Sequence, residues 1–65
     1  MVTRQLVKAV IASEMATACG FPMGEARGIA EAYYSTFYVE DRLPSAVELL
    51  DIACEVVDYR EARTS

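Results

Sequence analysis

Hydrophobic residues recur at helical spacing in the first part of the chain. The positions that define this stripe are Leu6, Val7, Val10, Ile11 and Met15. Residues three and four apart share one face of an α-helix, so the spacing predicts a helix over about 4–18. Thr3 precedes the stripe and suits an N-cap, because its hydroxyl can accept a hydrogen bond from a free backbone amide. Gly20 and Pro22 follow the stripe as a stop signal.

A second apolar stripe follows the proline and predicts a helix over about 23–38. Its members are Ala26, Ile29, Ala30, Tyr33 and Phe37. The segment 33–39 reads Tyr-Tyr-Ser-Thr-Phe-Tyr-Val, a composition that favours strands. No other segment alternates convincingly, so a strand here has no partner within the chain. We therefore expect the helix to continue to about Tyr38.

A polar connection at 40–44 leads to a third helix, predicted over about 46–62. Ser45 and Glu48 form a capping box, in which each side chain binds a free backbone amide of the other residue. Three helices joined by short turns predict an all-α fold, a compact three-helix bundle. Residues 1–65 are then a single small helical domain.

Charge is distributed unevenly along the chain. The net charge is −4, from ten acidic and six basic residues. Residues 1–32 hold three of each and balance, whereas residues 33–65 hold seven acidic and three basic residues. Binding to phosphates needs clustered Lys and Arg, so we do not expect direct binding to nucleic acid. The acidic second half predicts instead a basic protein as the partner.

Some features on which catalytic and metal sites commonly depend are missing from the sequence. There is no His among the 65 residues, and the three glycines form no phosphate-binding loop. A chain of this length also leaves no room for a substrate cleft. We therefore expect no enzyme activity, no cofactor and no metal site.

Two cysteines bear on the cellular compartment. Cys19 and Cys54 lie far apart in sequence, each in an apolar helical context. This pattern predicts buried, reduced thiols and a cytoplasmic protein, in the host-cell cytoplasm if the chain is phage-encoded. No stretch reaches the roughly 20 apolar residues that span a bilayer, so we expect no membrane association.

An acidic stripe marks the third helix. Its members are Glu48, Asp51, Glu55 and Asp58. Their spacing of three, four and three residues places them along one side of a helix, with a carboxylate roughly every 5 Å. Phosphates on one DNA strand recur about every 3.4 Å, which is of the same order. Neighbouring acids that join the candidate partner-binding set are Glu40, Asp41 and Glu61.

Two interpretations of the acidic stripe stay open. It can be the solvated face of an amphipathic helix, since surface helices are commonly charged. It can also be a recognition surface, because the usual mixing with lysine is missing: no Lys follows Lys8.

Two tyrosines, Tyr34 and Tyr38, complete the candidate partner-binding residues. They share one side of the second helix, while Tyr33 and Phe37 share another. One pair can pack in the core while the other lies near the surface, where tyrosine is favoured in protein interfaces. Packing of all four in or beside the core is the alternative.

Residues 15–29 combine a small residue, Ala16, with a glycine four positions later, Gly20. The apolar residues around them are Met15, Cys19, Phe21, Ala26 and Ile29. This arrangement resembles the helix-turn-helix of DNA-binding regulators. The resemblance implies a helix-turn-helix-like first pair of helices and a recognition helix over residues 22–32.

That recognition segment departs from the pattern in charge. Arg27 is its one side chain of the kind that reads base edges, while Glu25 and Glu31 would oppose phosphate. A helix-turn-helix transcriptional regulator is therefore the alternative function rather than the leading one.

In size, charge and lack of catalytic residues, the chain resembles the acidic phage- or mobile-element-encoded inhibitors that imitate DNA, including anti-CRISPR proteins. The residues that carry the resemblance are Glu40, Asp41, Glu48, Asp51, Glu55, Asp58 and Glu61. It implies a non-enzymatic phage protein whose acidic face occupies a basic, nucleic-acid-binding surface of a partner.

A small structural or adaptor subunit is the third possibility, as a monomer or a homodimer. Gly24, Gly28 and Ala32 recur every fourth residue. Small residues at this spacing would let the second helix approach a neighbour closely.

Overall fold

The computed structural model describes residues 1–64 and consists of three α-helices joined by short turns. Helix α1 spans Arg4–Thr17, α2 spans Met23–Val39 and α3 spans Ala46–Thr64. No strand occurs within residues 1–64. The all-α three-helix bundle predicted from the hydrophobic pattern is confirmed, and the predicted helix ends at 18, 38 and 62 differ from the observed ones by one or two residues.

The starts of α1 and α3 follow from the capping residues that the sequence offers. The Thr3 hydroxyl accepts a hydrogen bond from the Leu6 amide at 3.0 Å, which caps α1. At the start of α3 the capping box forms in both directions. The Ser45 amide donates to Glu48 Oε1 at 2.9 Å, and the Glu48 amide donates to Ser45 Oγ at 3.3 Å.

Two residues with positive φ end the first two helices. Gly20 follows α1 with a φ of 76°, a conformation that glycine adopts without steric cost. Asp41 follows α2 with a φ of 55°. There the Arg42 amide donates to the Phe37 carbonyl and the Asp41 amide to the Tyr38 carbonyl, the two bonds of a Schellman motif.

The strand-favouring segment 33–39 is helical because its side chains complete the core of the bundle. Phe37 is only 5% exposed and belongs to the same buried cluster as Ile29 and Ala30. Burying an aromatic ring stabilises by about 1.5–3 kcal/mol, which exceeds the roughly 1 kcal/mol span of strand propensities. Tertiary packing therefore decides the conformation.

The core is one continuous cluster to which all three helices contribute. Its fully buried centre comes from α1: Val7, Ile11 and Met15. The other buried members are Phe21, Ala26, Ile29, Ala30, Phe37, Leu49, Ile52 and Ala53. After Ala53, Val56 is the last residue of α3 that packs against this cluster. The C-terminal part of α3 thus has little apolar support.

Helices α1 and α2 pair antiparallel along their whole length. Lys8 contacts Glu31 and lies over the Tyr34 ring, whereas Arg4, one turn earlier, lies over the Tyr38 ring, one turn later. Beyond both helix ends, the Val2 amide donates to Asp41 Oδ1 at 2.8 Å. This is the arrangement of an αα-hairpin, across which α3 packs.

Within residues 1–64, the glycines of α2 do not mediate a close approach of two helices. A Cβ atom placed at Gly24 or Gly28 meets none of the described residues within 4 Å, and both positions are exposed. Ala32 is exposed as well. The small residues therefore lie on the outer side of α2, away from the other two helices.

This exposure yields a stability prediction. Gly28→Ala should stabilise the fold by about 0.5–1 kcal/mol, because alanine restricts the unfolded chain and meets no neighbour in the helix. For a domain of this size, the gain corresponds to a rise in melting temperature of about 2–8 °C. Thermal unfolding followed by circular dichroism measures it.

Gly20→Ala is the matched control and should have the opposite sign. The left-handed backbone at φ 76° places a Cβ close to the following carbonyl oxygen, at a cost of about 1–2 kcal/mol. A Gly28→Ala protein that melts below the wild type would show that the outer side of α2 is covered in solution.

Candidate protein-binding face on helix three

Two of the seven candidate carboxylates bind the same guanidinium. Arg42 donates from both terminal nitrogens to Glu48, at 2.7 Å to Oε1 and 2.6 Å to Oε2. Its Nε donates to Glu40 Oε1 at 2.6 Å. The guanidinium also lies 5.1 Å from the centre of the Phe37 ring. Glu40 and Glu48 are therefore both ion-paired within the chain, although the single positive charge of Arg42 balances only one of the two carboxylates.

The arrangement at Arg42 shifts the ionisation of both partners. Hydrogen bonds from Arg42, followed by the Ser45 amide, lower the pKa of Glu48 from 4.5 to about 2. In return, the Glu48 and Glu40 carboxylates raise the pKa of Arg42. A two-pronged Arg–carboxylate pair has fixed geometry as well as charge, so Glu48 is held toward the α2–α3 turn.

The remaining members of the stripe point into solvent. Asp51, Glu55 and Asp58 are exposed, and none of them makes an ion pair with another described residue. We call these three residues the acidic face. From Asp51 to Asp58 it runs about 10 Å along α3, at a rise of 1.5 Å per residue. Glu61 is exposed one turn further on.

Asp41 lies away from the acidic face. It occupies the turn after α2, and its carboxylate accepts the hydrogen bond from the Val2 amide. Its role in the structure is to tie the N-terminal segment to the α2–α3 turn. Asp41 therefore belongs to the seven candidate acids but lies apart from the acidic face.

The two candidate tyrosines lie on the side of α2 that faces α1. Tyr34 and Tyr38 are half-buried, under the Lys8 ammonium at 4.6 Å and the Arg4 guanidinium at 4.8 Å. The structure therefore does not bring them together with the acidic face. Cation–π contacts with α1 account for their position near the surface.

Tyr33 approaches the acidic face from α2, and sequence reasoning did not select it. Burial, and after it the charge of Glu55, raises the pKa of Tyr33. The signal was present in the spacing, because Tyr33 and Tyr34 lie about 100° apart around α2 and cannot face the same neighbour. Which of them faces α3 depended on how the helices pack.

Arg27, the candidate base-reading residue, is exposed on α2. Because α1 and α2 pair antiparallel, α2 lies alongside α1 for most of its length. In DNA-binding helix-turn-helix units the two helices instead meet at about 90–120°, which frees the second one for the major groove. The regulator hypothesis therefore gains no support from the way the first two helices pack.

Apolar side chains of α3 are exposed beside the acidic face. Leu50 is 60% exposed and Val57 is 40% exposed. Cys54, expected to be a buried thiol, is exposed between them, while Cys19 is half-buried; both are unpaired. The apolar residues of α3 that pack in or against the core all lie on one side of the helix: Leu49, Ile52, Ala53 and Val56.

Residues 1–64 contain no group of three or more Cys, Asp or Glu side chains that could hold a metal ion. None of the three helices described combines the length and apolar character that crossing a bilayer requires. Comparison with protein-family models, with curated proteins and with solved structures finds no match to this chain.

The contact between Arg42 and Glu48 predicts how stability depends on pH. The pKa of Glu48 is lower in the fold than its ordinary value of 4.5, so its contribution to stability is complete above that pH. That contribution is lost as the pH falls through about 2. Glu48→Gln should unfold at lower urea concentration than the wild type at pH 7, and the two midpoints should converge near the lower pH.

Asp51→Asn provides the control, because it removes an exposed carboxylate that contacts no cation among residues 1–64. At pH 7 its urea midpoint should not fall below that of the wild type, because removing this charge only relieves repulsion with Glu55. A Glu48→Gln protein as stable as the wild type at pH 7 would contradict the structural role given to the pair.

Proposed function

We propose that the protein is a non-enzymatic binding protein whose acidic face occupies a basic, nucleic-acid-binding surface of a partner protein. The observation that carries the proposal is the contrast among its carboxylates. Four of them, Glu25, Glu31, Glu40 and Glu48, bind a cation of the same chain. Asp51, Glu55 and Asp58 do not, although they lie side by side on one helix.

A row of uncompensated like charges does not help the fold. Carboxylates at i and i+4 repel each other along a helix. Asp51 and Glu55 stand four residues apart, and Asp58 follows three residues later. The charge therefore supports a role in contact with a partner of opposite sign.

The chemistry of such contact follows from what basic clefts bind. Arg and Lys side chains that hold phosphates also pair with carboxylates, and the guanidinium fork fits either group with two hydrogen bonds. Carboxylates spaced about 5 Å apart on a helix approximate a row of phosphates. Occupying the cleft excludes the nucleic acid by competition, the mechanism of a DNA-mimic inhibitor of the anti-CRISPR kind.

A displacement experiment tests the proposal. Fluorescent duplex DNA is bound to a guide-loaded RNA-guided nuclease, or to a helix-turn-helix repressor, and released DNA is measured as this protein is added at several salt concentrations. Neutralising the acidic face with Asp51→Asn, Glu55→Gln and Asp58→Asn together should weaken displacement about tenfold or more. Three ion pairs of up to about 1 kcal/mol each set that scale. The dependence on salt should also become shallower.

A charge-matched control separates the acidic face from net charge. Gln5→Lys, Ser13→Lys and Ser35→Lys together also change the charge by +3, at exposed positions away from α3. This variant should displace DNA nearly as well as the wild type. Equal loss in both triple variants, or wild-type protein that displaces DNA from neither complex, overturns the proposal.

A further inference from the structure

An apolar groove runs along the side of α3 next to the acidic face. Two cavities of about 460 and 320 Å³ adjoin there and share Ala18, Cys19 and Leu50 as lining residues. The end of α1 and the following turn form one wall, and α3 forms the other. The first cavity begins at Ala46 and the second reaches Asp58, so the groove is about 18 Å long at 1.5 Å per residue.

The exposed side chains of α3 in the groove have the spacing of a helix-packing seam. Leu50, Cys54 and Val57 are separated by four and three residues, as the a and d positions of a heptad are. They are exposed although the core lies directly beside them. Such a row accepts the apolar stripe of another helix, and the length of the groove matches about three helical turns.

Charge at the rims decides which helix fits. Glu14 lines the α1 wall and Asp58 the α3 wall. Both are exposed, and neither makes an ion pair with another described residue. A helix lying in the groove therefore has a carboxylate on each side. Positive charges on both flanks of its apolar stripe complement this arrangement.

We infer that the groove binds a basic amphipathic α-helix of a partner protein, with apolar residues against Leu50, Cys54 and Val57 and with Lys or Arg beside Glu14 and Asp58. A second copy of this chain fits less well. Its net charge is −4, and its own α3 would bring further carboxylates to acidic rims. The inference extends the proposed function, since Asp58 belongs to both the groove and the acidic face.

Synthetic helical peptides of about 14 residues test the inference by fluorescence anisotropy at physiological salt. One peptide carries a leucine stripe with Lys flanks, the second the same stripe with Glu flanks, and the third Ser in place of Leu with Lys flanks. The first should bind at least tenfold more tightly than either of the others. Equal binding of the two Lys-flanked peptides overturns the inference, because it shows attraction by charge alone.

Leu50→Asp gives the sharper test. It adds a negative charge, so a purely electrostatic interaction would strengthen, whereas docking of an apolar stripe should weaken about tenfold. Val39→Asp is the matched control, because Val39 is 80% exposed on α2, outside the groove, and receives the same charge. Binding by the Leu50→Asp protein as tight as by the wild type contradicts the inference. The melting curve of each variant shows whether it folds.

The thiol of Cys54 reports occupancy directly. In a Cys19→Ala protein, the peptide with a leucine stripe and Lys flanks should slow alkylation of Cys54 by iodoacetamide in proportion to the bound fraction. Unchanged alkylation contradicts docking in the groove.

Sedimentation equilibrium tests whether a second copy of the chain occupies the groove instead. A wild-type dimer that Leu50→Asp dissociates overturns the inference. The two proposals fail separately. Leu50→Asp keeps all three carboxylates of the acidic face, whereas Asp51→Asn with Glu55→Gln reduces the charge of that face and keeps both Asp58 and the apolar seam formed by Leu50, Cys54 and Val57.

Discussion

The placement of α3 depends on the Arg42 guanidinium. Arg42 follows Asp41, whose left-handed backbone conformation ends α2. The Arg42 guanidinium binds the Glu48 carboxylate, which also caps α3. The Arg42 amide closes the Schellman motif on the Phe37 carbonyl, while the guanidinium covers the Phe37 ring. The end of α2, the start of α3 and the buried Phe37 ring are thereby all contacted by one residue, so the turn sets the direction of α3.

That fixed start has consequences for the rest of α3. Leu49, Ile52 and Ala53 reach the core within the first two turns, and Val56 is the last apolar contact. Further along, the ion pair between Arg60 and Glu25 and the stacking of Arg60 over Phe21 hold the helix against the start of α2. The helix is attached along one flank. The acidic face and the apolar seam lie on the two adjoining flanks and are left to solvent.

The fold could be predicted from the sequence because its determinants are local. Thr3, Gly20 and the Ser45–Glu48 capping box each act within a few residues, and each was recognisable before the helices were assembled. The site could be predicted only in part. That Glu48 binds Arg42 while Asp51 stays exposed depends on the path of the turn, which helical spacing does not encode. The apolar residues of α3 exceed what the core can cover, and spacing alone does not tell which flank packs inward.

The acidic face and the apolar groove make most sense as parts of one surface. A partner helix that docks in the groove would present its apolar stripe to Leu50 and Val57 and its basic residues to Asp51 and Asp58. Carboxylates alone would bind any cationic surface, and apolar residues alone would bind any exposed stripe. A partner that must match both the carboxylates and the apolar residues, at the separation that α3 fixes, belongs to a smaller class of proteins. Opposite charge guides its encounter with this surface, and the apolar residues select for its shape.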